Sequence, residues 1–81
     1  MARAKRVAIL TDTTMSMKGT AVWLATWVPS GVVKFDISLH CETKNEAVQW
    51  ALNGLGVEHI IDNRLIGMEE ARRLATRLLM P

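Results

Sequence analysis

The apolar residues of this chain fall into four short runs that read as strands and two longer ones that read as helices. Val7-Ala8-Ile9-Leu10-Thr11 is a continuous apolar run of strand-forming residues. Such a run suits a central strand covered on both faces. The polar stretch from Asp12 to Gly19 reads as a loop. Residues 21–28 read as a second strand, with Val22, Leu24, Thr26 and Val28 on one face and Trp23 and Trp27 on the other. Pro29-Ser30-Gly31 is a turn at hairpin spacing. In residues 32–39, Val33, Phe35, Ile37 and Leu39 alternate with Val32, Lys34, Asp36 and Ser38. That period of two predicts a third strand with one buried face and one wet face, as at a sheet edge. Lys34 on the wet face discourages edge-to-edge aggregation.

After residue 40 the period changes. Thr43 followed by Glu46 forms a capping-box pattern. Ala47, Trp50, Ala51, Gly54 and Leu55 then share one helical face, and Gly54 and Gly56 supply the stop. Residues 57–61 read as a fourth strand ending at Asp62-Asn63. Residues 68–80 read as a second helix, with Met68, Ala71, Ala75, Leu78 and Leu79 as its apolar stripe. Glu69 and Glu70 lie near its N-terminus, with Arg72, Arg73 and Arg77 further along, as the helix dipole favours. The order is β-β-β-α-β-α. Three strands joined by turns make a meander, and a helix crossing the sheet lets the fourth strand lie parallel to the first. The expected fold is α/β: a mixed four-stranded sheet of order 3-2-1-4 with two helices, in one domain spanning residues 1–81.

Composition narrows the functional classes. With 81 residues the chain holds one domain with a small core. Its 49% apolar content is high for that size, which leaves apolar surface for a partner or a second copy. The net charge is +2, and the basic residues gather at the two ends: Arg3, Lys5 and Arg6, then Arg72, Arg73 and Arg77. Lys5, Arg6, Arg72, Arg73 and Arg77 are candidates to meet nucleic-acid phosphates, or are simply solvated termini. A lone cysteine, Cys41, allows no internal disulfide, and no apolar stretch is long enough to span a membrane. Together these lead us to expect a cytoplasmic protein. His40, Cys41 and His59 lack zinc-ligand spacing.

Asp12 and Asp62 carry the candidate chemistry. They stand at the carboxyl ends of the first and fourth strands. If those strands are parallel neighbours about 4.8 Å apart, the two carboxylates emerge together. Adjacent carboxylates repel unless a cation holds them, and hard oxygen ligands suit Mg²⁺ or Mn²⁺. The alternative is local: an Asp that follows a strand accepts hydrogen bonds from the amides of the next turn.

The order of elements and three motifs resemble the ribonuclease H fold. Thr11-Asp12-Thr13-Thr14 resembles that family's first-strand Thr-Asp-Gly-Ser. Thr43-Lys44-Asn45-Glu46-Ala47 with Ala51-Leu52 resembles its Thr-Asn-Asn-x-Ala-Glu-x-x-Ala-Leu helix start. Ile61-Asp62-Asn63 with Leu65-Ile66 resembles its fourth-strand Thr-Asp-Ser. The resemblance implies a divalent-metal-dependent nuclease acting on RNA–DNA hybrid or other nucleic acid, with Asp12 and Asp62 as metal ligands and Glu46 as a possible third catalytic carboxylate. In this register, however, the family's catalytic Glu falls on Val48. Glu46 lies two residues earlier, about 200° away around a helix, and it also belongs to the capping box. The sequence leaves open whether Glu46 or Val48 faces the site. The family's fifth strand and last helix have no counterpart. On balance the expected function is a small non-catalytic interaction or regulatory protein on this fold. It would bind nucleic acid or a larger protein, or pair with a second copy through the edge of residues 57–61. Trp23, Trp27 and Trp50 are expected in the core. Trp23 and Trp27 would form a partner-binding face if turned from the helices.

Overall fold

A computed structural model describes residues 5–12 and 19–80, without the side chains of Asp12, Ser38 and Leu39. Most of the expected loop after Asp12 therefore lies outside the described residues, as does Arg3. The strands are β1 (Arg6–Asp12), β2 (Thr20–Val28), β3 (Val32–Cys41) and β4 (His59–Asp62). They form one mixed sheet in the order β3-β2-β1-β4. β1 pairs antiparallel with β2 and parallel with β4, and β2 pairs antiparallel with β3. The expected order and directions are those observed.

Helix α1 (Lys44–Gln49) runs on into a π-helical turn at Trp50–Gly54. Thr43 caps α1, its Oγ1 accepting the Glu46 N–H at 3.1 Å. A one-turn helix the sequence did not suggest, α2 (Asn63–Ile66), follows β4 directly. Helix α3 (Met68–Leu79) closes the chain.

The two main helices cover opposite faces of the sheet, and alternation along β1 feeds both. Val7 and Ile9 join Ala25, Ile61, Ala71, Ala75 and Leu79 beneath α3. Ala8 and Leu10 join Val22, Cys41, Ala47, Ala51 and Val57 beneath α1. β1 is thus buried on both faces, which is why its apolar run is unbroken. The small side chains of Ala71 and Ala75 bring α3 close to the sheet, and those of Ala47 and Ala51 do the same for α1.

The tryptophans divide. Trp23 and Trp27 are half-buried on the α3 face, beside Val33 and Phe35. Trp50 corrects the expectation of a core residue, since it is 53% exposed. Alanines 47 and 51 already fill the contact with the sheet, and position 50 lies at the margin of that helical stripe. The ring lies back over Gly54, where an added Cβ would stand 2.5 Å from the Trp50 Cε3.

Candidate functional site

The carboxyl ends of β1 and β4 lie side by side, as the acidic-cluster reading requires. Leu10 is opposite Asp62, however, so Asp12 sits two residues further along its strand. At strand rise and spacing, the two Cα atoms are about 8 Å apart. The aspartates are neighbours, but staggered.

Asp62 is held on every side. Its Oδ1 accepts the Arg64 backbone N–H at 3.0 Å and the Arg64 Nε–H at 3.1 Å. Its Oδ2 accepts the Arg64 Nη2–H at 2.8 Å and pairs with the Lys44 ammonium at 2.7 Å. Only 10% of the Asp62 side chain is exposed. The backbone bond is the turn-capping role open to an Asp after a strand, and it starts α2. The side-chain bonds from Arg64 hold the carboxyl well below the usual carboxylate range; burial opposes this and Lys44 reinforces it. Beside it, the Asn63 Nδ2–H donates to the Thr11 Oγ1 at 2.9 Å and ties α2 to the end of β1.

The depressed acidity of Asp62 links it to stability. The folded chain holds fewer protons at this group than the unfolded chain does, so the contribution is complete above the ordinary value of 3.8. It is lost as pH falls through the folded-state value. Because Lys44 and Arg64 are partly solvated, Asp62→Asn should cost about 1–2 kcal/mol at pH 7. Denaturant unfolding of both chains from pH 7 to pH 2.5 should show that gap narrowing below pH 4. A constant gap would mean that the ion pairs contribute nothing.

The turn of α1 sets Glu46 and Val48 on different flanks of the helix. Lys44 reaches Asp62. Two residues on, and about 200° around the helix, Glu46 lies on the other flank, where its charge joins burial in raising the Cys41 thiol pKa. Val48 lies only about 40° from Lys44 and packs half-buried against the core under α1. The position that the ribonuclease H resemblance aligns with a catalytic Glu is thus on the Lys44 flank of α1, and it is a valine. Glu46 is exposed. Among the described residues, no three His, Cys, Asp or Glu side chains come together.

The basic candidates are spread out, and several are engaged. Arg6 donates to the Leu55 carbonyl at 2.9 Å, and the Lys5 backbone N–H donates to the Glu58 Oε1 at 2.8 Å. The Arg72 guanidinium lies 5.5 Å from the centre of the Phe35 ring. Arg73 bridges Glu69 at 3.0 Å and Glu70 at 2.9 Å. Arg72, Arg73 and Arg77 border an open groove of about 600 Å³ along α3. Among the described residues, no helix is long and apolar enough to cross a membrane.

Sequence reasoning missed Lys44 and Arg64, the residues that define this corner. Their signals were modest: a lysine just after an N-cap at the same end of the sheet, and an arginine two residues after an aspartate. In comparison with known proteins, the chain significantly matches no family model, no curated protein and no solved structure.

Proposed function

We propose that this chain is a non-catalytic interaction module whose fold resembles ribonuclease H, and that it works by binding a macromolecular partner. The observation that carries this reading is the state of Asp62. Its carboxylate is neutralised by Lys44 and Arg64, and Val48 occupies the flank where the resemblance would place a third carboxylate. Two-metal phosphodiester hydrolysis needs several carboxylates converging on its ions. Here two side-chain cations already pair with one of those carboxylates.

The rival reading is a Mg²⁺- or Mn²⁺-dependent nuclease. It draws on the parallel β1–β4 pair that sets Asp12 and Asp62 on neighbouring strands. In that reading Asp12 and Asp62 hold the ion and Glu46 assists. The donor set around Asp62 fits this poorly, because an ion would have to displace Lys44 and Arg64 first.

Incubation with a labelled RNA–DNA hybrid in 10 mM Mg²⁺ or Mn²⁺ separates the two. The interaction module leaves the hybrid intact. Cleavage by the wild-type chain that disappears in both Asp12→Asn and Asp62→Asn would establish the nuclease instead.

A further inference from the structure

The sheet has two open edges. β4 offers four residues, whereas β3 offers ten. The β3 edge is regular from Val32 to Ile37. Beyond it the pairing with β2 shifts: Trp23 opposes Ile37 but Val22 opposes Leu39, which leaves Ser38 as an extra residue.

The face that β3 shares with α3 is incompletely covered. Trp23, Trp27, Val33 and Phe35 are only half-buried there, and Ile37 is 50% exposed. On the opposite face, Lys34 and Asp36 lie two apart along the strand, 3.5 Å from each other, with side chains 63% and 57% exposed. An exposed lysine usually protects an edge from pairing. Here it is accompanied by a counter-charge at the spacing that makes the edge complementary to itself.

We propose that β3 is a self-association edge, and that two copies of this chain join antiparallel about a two-fold axis at Phe35. Directly opposed residues in an antiparallel pair share a face, so a two-fold pairing must be centred on a residue. Centred on Phe35, Lys34 opposes Asp36 of the second copy and Asp36 opposes its Lys34. The four charges alternate. Phe35 meets Phe35, and Val33 meets Ile37, as favourable cross-strand pairs. Adding the β2 register gives an apolar row on the α3 face: Trp23, Ile37, then Val33 and Trp27 of the second copy. The half-open face becomes continuous across an eight-stranded sheet.

Neighbouring registers fail on charge. Centred on Lys34, two lysines oppose each other and Val32 faces Asp36. Centred on Asp36, two aspartates oppose each other. The bulge at Ser38 ends the ladder just past the last pair, so the Phe35 register also uses the regular stretch well. The β4 edge has no comparable self-complementary pattern. This inference goes beyond the functional reading above and does not depend on what Asp62 binds.

A charge-swap series tests it. Because the pairing stretch is short, association is expected at about 100 µM and is best read by sedimentation or light scattering of the full chain. The wild-type mass should move from 9.0 kDa toward twice that value as concentration rises. Lys34→Asp alone and Asp36→Lys alone should each weaken association at least about tenfold. An equimolar mixture of those two chains should restore it, as should the double swap in one chain. Both positions are exposed, and circular dichroism serves to check that each variant is folded. A wild-type chain that stays monomeric at 500 µM overturns the proposal. So do single variants that pair as well as wild type, or a mixture that stays monomeric.

Discussion

Gly19→Ala should unfold much of the population that the wild-type chain keeps folded at 37 °C. Gly19 precedes β2 with φ +123°, a backbone region that L side chains rarely adopt. A Cβ there would collide with the carbonyl oxygen of Cys41 and stand 3.1 Å from both the Cys41 carbonyl carbon and the Glu42 Cα. Those obstacles are backbone and cannot rotate away. The next residue, Thr20, pairs with Cys41, so relief would require opening the first rung of the β2–β3 ladder. Strain and collision together should cost about 3–5 kcal/mol. For a domain of this size that is a melting-temperature drop of roughly 15–30 °C. Differential scanning calorimetry measures it directly, and a drop under 5 °C would mean that β2 does not enter the sheet this way.

The second large effect is expected at Ile9→Ala. Ile9 is fully buried at the middle of β1, opposite Trp23 on one side and Ile61 on the other. Ala71 and Ala75 of α3 pack in the same cluster. These small residues already allow close approach of the helix, so the surroundings have little slack with which to fill a cavity. Truncation should cost about 3–5 kcal/mol, the upper part of the range for such losses. Denaturant midpoints at constant slope provide the measurement. A loss below 1 kcal/mol would contradict burial of β1 between two helical layers.

These two residues differ in how legible their roles are. Ile9 is readable because an unbroken apolar run of strand formers, this short, suits a strand covered on both faces and little else. The helix that starts at Thr43 and crosses the sheet is what placed β4 parallel to β1. The alternation of β3 likewise marked an edge. Gly19 is not readable, because it looks like the end of a polar loop. Its requirement comes from the Cys41 carbonyl, more than 20 residues away. Trp50 failed for a related reason. A helical stripe defines a sector about 140° wide, and the chain filled the centre of that sector with alanines, leaving the largest side chain at its margin.

The candidate site was legible in part. Asp62 stands at the end of a strand parallel to β1, as the spacing implied. The stagger against Asp12 depends on which residues of two strands pair, and pattern alone does not fix that. Its partners were hidden because Lys44 and Arg64 look like ordinary solvated cations. Only the helix start at Thr43 and the turn after β4 aim them at one carboxylate.

The most direct test of the account is a divalent-cation titration of the folded chain. Mg²⁺ or Mn²⁺ up to 10 mM would be added at constant ionic strength, with thermal shift and tryptophan fluorescence as readouts and Asp62→Asn as the control. If Lys44 and Arg64 hold the Asp62 carboxylate, the wild type should change no more than the variant does. A saturable stabilisation at millimolar or lower ion that vanishes in Asp62→Asn would contradict the account.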